Sequence, residues 1–128
     1  MPRVVEDSGL AEGGWVPVDQ RSLATRFPGV YAVGDVTSVG TPKAGVFAEG
    51  QAAVIADRIL AMARADGADT RYGGEGICYL EFGNDLVATV TATFLPGTSP
   101  TGLFAPPSAE IAAAKAQFGS SRIARWFS

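Results

Sequence analysis

Apolar residues along this chain follow two different rhythms, and each rhythm predicts a different element. Between Ala44 and Met62 they recur at helical spacing, at Ala44, Phe47, Ala48, Ala52, Ile55, Ile59 and Met62. Thr41-Pro42 stands just ahead as a helix start. Thr41 offers a capping hydroxyl, and Pro42 fills the first helical position, where a missing N–H costs nothing. Gly67 follows as a left-handed stop. From Leu86 to Leu95 the period is two. Leu86, Ala88, Val90, Ala92 and Phe94 share one face, while Val87, Thr89, Thr91 and Thr93 share the other. With Ile77–Phe82 before it and Gly83-Asn84-Asp85 between, this run predicts a half-buried antiparallel hairpin.

The remaining segments are shorter. Gly9, Gly13 and Gly14 predict a loop over residues 1–14. Trp15–Asp19 reads as an edge or irregular strand because Pro17 interrupts it. Gln20–Phe27 is a connection, and Pro28-Gly29 is a turn. Val30-Tyr31-Ala32-Val33 is a continuous apolar run of the kind buried in parallel sheets, and Gly34 ends it. Asp66–Gly76 is a polar, glycine-rich linker. Pro96–Pro107 reads as a loop. Ser108 caps a helix over Ala109–Phe118, with Gly119 as its stop, and the tail Arg122–Phe127 is basic and aromatic. The expected fold class is α/β, or α+β for an isolated fragment, with one region over 1–67 and a hairpin-plus-helix region over 76–128.

Composition narrows the chemistry. Hydrophobic residues make up 47% and charged residues 18% of the 128 residues, a globular balance. The net charge of −3 and the lack of a basic stripe argue against nucleic-acid binding. The stretch Ala44–Ala65 carries Glu49, Gln51, Asp57, Arg58 and Arg64, too many polar groups to span a bilayer. The start Met1-Pro2-Arg3 lacks the apolar core of a signal peptide. A cytoplasmic protein is expected, with peripheral membrane contact as an open alternative. One cysteine excludes an internal disulfide framework, and the absence of histidine argues against a zinc site. It also removes Ser-His and Cys-His nucleophile pairs. Chemistry here would belong to a cofactor or be shared with another polypeptide.

The run Thr25-Arg26-Phe27-Pro28-Gly29-Val30-Tyr31-Ala32-Val33-Gly34-Asp35, followed by Pro42-Lys43-Ala44-Gly45-Val46-Phe47-Ala48-Glu49-Gly50-Gln51-Ala52, resembles the second flavin-binding segment of FAD-dependent pyridine nucleotide–disulfide oxidoreductases. The resemblance implies FAD as cofactor and Gly34, Asp35, Lys43, Ala44 and Gly45 as its contacts. The physical logic agrees with it. A glycine lets the backbone approach a cofactor closely, Asp35 can accept hydrogen bonds from ribityl hydroxyls, and the N–H groups of a helix start suit the negative charge of a reduced flavin. Lys43 would add a cation there; otherwise it is a solvated surface lysine. The glycine-rich ADP-binding loop of that family is not in this chain. The resemblance therefore implies the C-terminal portion of a flavoenzyme that needs the missing N-terminal FAD/NAD-binding portion as its partner.

Gly76-Ile77-Cys78-Tyr79-Leu80-Glu81-Phe82-Gly83 resembles the segment that carries the second redox cysteine in sulfide:quinone oxidoreductases and flavocytochrome c sulfide dehydrogenases. That likeness implies a catalytic redox role for Cys78, paired with a cysteine upstream of this chain. The alternative is a buried structural thiol, with Cys78, Leu80 and Phe82 on one strand face. A protein similar to type II NADH dehydrogenase or to ferredoxin and rubredoxin reductases is a further alternative. The glutathione reductase branch, which needs a His-Glu pair, is disfavoured. By the same resemblance Phe104, Phe118, Trp126 and Phe127, with Arg122 and Arg125, would meet a membrane interface; the plainer expectation packs these aromatics on the hairpin. A non-catalytic module is the competing class. The apolar run Val30–Val33 and the long helix need covering, and self-association into a homodimer would cover them.

Overall fold

The computed structural model describes residues 1–67 and 69–127. It is a mixed α/β chain with a three-stranded antiparallel sheet and a C-terminal helix. Two compact units are distinct, Met1–Gly76 with Thr93–Ser99, and Ile77–Ala92 with the chain from Pro100 onward. No helix among the described residues is long and apolar enough to cross a membrane.

The first unit opens with a short helix, α1 (Arg3–Asp7), where the glycines predict only loop. None of its residues is buried. The segment Trp15–Asp19 makes isolated bridges, Glu12 to Trp15 and Val16 to Thr37, as an interrupted strand should. Val30–Val33 corrects the sequence reading: it is not a buried parallel strand. Tyr31 makes a single antiparallel bridge to Ala24, and Val30 is 38% exposed. A fully buried parallel strand needs partners on both sides. Here the neighbour is the return of the same chain, through Thr25 N–H to the Val30 carbonyl and Ala32 N–H to the Leu23 carbonyl. That return is too short to propagate a ladder.

The long helix, α2 (Gly45–Arg64), begins after the expected start and ends before the expected stop. Thr41 does not cap it, because its hydroxyl accepts a hydrogen bond from the buried side chain of Gln51. Ala44, in extended conformation, stands at the N-cap with no side-chain bond. At the far end Ala65, in the left-handed conformation (φ 54°), is the C-cap; Gly67 also has positive φ (72°) but lies two residues beyond it, and the Ala65 and Asp66 N–H groups bond to the Met62 and Ala61 carbonyls. The inward face is rotated from the expected one. Phe47, Gln51 and Ala61 are buried, whereas Ile59 and Met62 are 49% and 57% exposed. Apolar residues occur nearly all round this helix, so periodicity alone could not choose the face.

Leu23, Val39 and Tyr72 form the core, with Val18, Val33, Val54 and Ile55 against it. Tyr72 comes from the stretch expected to be a linker. From Asp69 onward it is instead a strap, and Ala68 lies outside the described residues. Tyr72 N–H donates to the Arg21 carbonyl at 2.8 Å, and Arg58 donates to Asp69 and to the Thr70 carbonyl. The Arg58 and Arg71 guanidiniums hold the Asp69 carboxyl below the usual carboxylate range. Next along the strap, Gly74 and Gly76 permit close packing. A β-carbon at Gly76 would fall 2.3 Å from the Phe47 ring, which in turn meets Phe94 edge-on at 5.7 Å.

The second unit carries most of the sheet: β1 (Glu75–Gly83), β2 (Leu86–Thr93) and β3 (Thr101–Ser108), in the order β1-β2-β3. The expected hairpin is present. Asn84 and Asp85 both take positive φ (49° and 56°), the signature of a type I′ turn whose twist matches the strands. The expected loop Pro96–Pro107 gives way to β3 over its second half. Pro106-Pro107 is tolerated because β3 lies at an edge, where one side of the strand has no ladder to complete. The closing helix, α3 (Ala109–Phe127), starts as expected, with Ser108 Oγ accepting the Ile111 N–H at 3.1 Å. It then runs through Gly119, which keeps helical φ; a glycine costs about 1 kcal/mol and does not by itself end a helix. Of the tail aromatics, Phe118 packs edge-on against Tyr79 at 5.4 Å, while Trp126 and Phe127 are 56% and 81% exposed.

Two substitutions of opposite sense should both stabilise the chain. Ala65→Gly relieves a left-handed alanine, worth about 1 kcal/mol. Gly119→Ala, at a helical position with open space around it, should contribute about 0.5–1 kcal/mol. Thermal melts should show each variant unfolding above the parent. A lower midpoint for Gly119→Ala would mean that α3 does not continue through this position.

Candidate functional site

Gly34-Asp35-Val36 forms a 3-10 turn that packs against α2. Gly34 has φ 78°, a conformation that glycine adopts without penalty, and a β-carbon there would stand 3.5 Å from the Ala48 side chain. The turn is anchored by a single buried amide. Gln51 Oε1 accepts the Gly34 N–H at 2.7 Å, and Gln51 Nε2 donates to Thr41 Oγ1 at 3.3 Å. Gln51 is 1% exposed. Thr37 closes the turn from the other side, its hydroxyl donating to the Gly34 carbonyl at 2.8 Å. Tyr72 Oη is buried near Gln51 and Thr41 without a well-formed hydrogen bond of its own. Burial pushes its phenol above the usual range, and the neighbouring Gln51 and Thr41 oppose that shift.

This framework places the sequence-predicted residues as follows. Asp35 is exposed and has no hydrogen bond or ion pair to the described residues. Ala44 caps α2, and Gly45 is its first residue. Phe47 and Ala48 N–H groups bond to the Ala44 carbonyl, whereas those of Gly45 and Val46 find no partner among the described backbone carbonyls. Lys43 lies ahead of the helix and not in its first turn. Its ammonium donates to the Thr37 carbonyl and stands 4.3 Å from the centroid of the Trp15 ring, in cation–π contact. Gly34, Asp35 and Lys43 thus belong to one neighbourhood around the 3-10 turn and the start of α2. Cys78 lies on β1 in the second unit, and its thiol is exposed. The alternative of a buried structural thiol is therefore corrected: the face carrying Cys78, Leu80 and Phe82 is open to solvent.

Sequence reasoning missed Gln51 and Trp15. Gln51 had a readable signal. It follows Phe47 by four residues, so it interrupts an apolar stripe with an amide that can be buried only if hydrogen-bonded. Trp15 carried no such signal, because its approach to Lys43 depends on the path of the intervening chain.

Replacing Gln51 by leucine should leave the Gly34 N–H and Thr41 hydroxyl without their buried partner, at a cost of about 2 kcal/mol. Denaturant titration should show that loss, and amide exchange at Gly34 should accelerate. Equal stability of Gln51→Leu and parent would refute the anchoring role. Native Cys78, exposed on β1, should react fully with a maleimide without denaturant.

No protein-family model matches this sequence, and no curated protein matches it either.

Proposed function

We propose that this chain supplies part of a flavin site, as the C-terminal portion of an FAD-dependent oxidoreductase, with Asp35 and the start of α2 as the contacts. The observation that carries this reading is the pinned 3-10 turn. A buried glutamine is committed to hold Gly34 on α2, and the carboxylate that follows Gly34 in sequence has no partner among the described residues. An exposed carboxylate without a partner among the described residues, in the neighbourhood of helix-terminal amides that have no described carbonyl partner and of an ammonium, fits a polyol joined to an electron-rich ring. Asp35 would accept hydrogen bonds from ribityl hydroxyls. Gly45 and Val46 N–H groups would face the electronegative edge of the ring, and Lys43 would add positive charge nearby. When bound, FAD would supply the hydride or electron transfer. The remaining contacts, to the ADP half, would come from the N-terminal portion absent from this chain. The sulfide:quinone oxidoreductase-like assignment adds Cys78 as one half of a redox pair whose other cysteine is not in this chain. The type II NADH dehydrogenase-like alternative uses the same flavin contacts without it.

Binding by this chain alone should be weak, of millimolar order or about −4 kcal/mol, because half of the cofactor's contacts are missing. Titration of isotope-labelled chain with FMN should shift the amide signals of Gly34, Asp35, Val36, Gly45 and Val46. Asp35→Asn should weaken binding about tenfold, as expected for loss of a charged hydrogen-bond acceptor. Shifts confined to other residues, or an Asp35→Asn variant that binds as tightly as the parent, would sink the proposal.

A non-catalytic, self-associating module is the second reading, and exposed apolar side chains favour it. Leu60, Phe82 and Leu103 are 47%, 59% and 71% exposed.

A further inference from the structure

The open edge of the sheet takes this second reading further and involves no flavin contact. β1 is an edge strand, and its two-residue turn determines which backbone groups point outward. Residues flanking such a turn, here Gly83 and Leu86, form a hydrogen-bonded pair, and such pairs recur at every second residue. Tyr79 and Glu81 therefore direct their amides and carbonyls to β2. Cys78, Leu80 and Phe82 direct theirs to the open edge, and no bridge or backbone hydrogen bond from the other described segments reaches it.

The two edges are guarded differently. β3 carries Pro106-Pro107, which cannot donate to a further strand. β1, with the sequence EGICYLEFG, has neither proline nor lysine. Leu80 and Phe82 on it are 41% and 59% exposed. A long apolar edge without such guards is a template for another strand.

We infer that a second copy of this chain docks at that edge, β1 against β1, about a two-fold axis that joins the two sheets. Charge selects the register. With the axis at Tyr79 the whole of β1 is paired, Glu81 faces the partner's Ile77, and Glu75 faces the partner's Gly83. Moving the axis to Cys78 would oppose Glu75 and the partner's Glu81, a destabilising like-charge pair. Moving it to Leu80 would shorten the paired segment. In the Tyr79 register the outward groups of Cys78 meet those of the partner's Leu80, and about eight backbone hydrogen bonds form. The terminal helix fits beside this contact. Phe118 meets Tyr79, Lys115 pairs with Glu81, and the cleft that α3 forms with the hairpin also reaches Leu86 on β2. α3 thus lies over the hairpin and not beyond its open edge. Two hairpins side by side have midlines about 10 Å apart, the ordinary spacing of packed helices.

Cys78 makes the register testable, because the chain has one cysteine. In the inferred dimer the two Cys78 side chains are diagonal neighbours on one face, roughly 7 Å apart. Light scattering of the intact chain should give twice the 13.2 kDa chain mass. A short bismaleimide should convert that species to a covalent dimer and nothing larger. Amides of Cys78, Leu80 and Phe82 should exchange more slowly as concentration rises. Leu80→Lys should raise the dissociation constant about tenfold or more with an unchanged circular dichroism spectrum. A monomer at high concentration would overturn the inference. So would a dimer that Leu80→Lys leaves intact and that Cys78 does not cross-link. If Leu80→Lys fails to fold, the cross-linking and exchange results of the parent decide alone.

Discussion

The first unit depends on one buried amide. Gln51 is the link between α2, the 3-10 turn and the segment leading into the helix, since it accepts from Gly34 and donates to Thr41. A buried amide side chain has two roles to satisfy, as donor and as acceptor, and leaving either unmet costs about 1–3 kcal/mol. The geometry that satisfies both is narrow. It fixes where the turn sits along α2, and it removes Thr41 from helix capping. The late start of α2 at Gly45 follows from that competition, and the Gly45 and Val46 amides just inside the helix have no partner among the described backbone carbonyls. The exposed carboxylate of Asp35 is thus a feature of position: the turn that carries it is held by its backbone, leaving the side chain uncommitted.

Around this anchor the packing is thin. The core of the unit is built from Leu23, Val39 and Tyr72, and Tyr72 reaches it only because the strap after α2 is tied down by Arg21 and Arg58. Glycines set the tolerances of that strap. At Gly76 a side chain would displace the Phe47 ring, and at Gly74 a β-carbon would fall 2.0 Å from the Phe94 carbonyl oxygen. Apolar residues that a larger domain would bury remain at the surface of α2. That exposure accords with both functional proposals, because a missing portion of an enzyme and a second copy of the chain would each cover apolar surface.

The second unit is organised by hydrogen-bond geometry more than by burial. Its buried apolar residues are Val87 and Ala88. The hairpin is directed by the type I′ turn, and α3 is set by the Ser108 cap and by the contacts of Phe118 and Lys115. Such a unit leaves its strand edge available, and the edge without proline is the one that precedes the turn.

Several elements were legible from local chemistry. Asn84-Asp85 between alternating strands could make few turns other than a tight one, and Ser108 ahead of an alanine-rich stretch could hardly avoid capping a helix. The 3.6-residue rhythm after Ala44 required a helix, although not its ends or its inward face. What only the tertiary structure decided is whatever depends on a distant partner. Val30–Val33 lacks the flanking strands that its composition suits, and so remains a single bridge. Pro106-Pro107 sits in a strand because that strand has a free side. Gly119 stays helical because nothing nearby rewards a stop. Gln51 and Trp15 gain their roles from Gly34, Thr41 and Lys43, whose approach depends on the path of the chain between them. Local hydrogen-bonding chemistry acts within a few residues and can be read in order; burial and pairing are settled by neighbours that the linear order does not name.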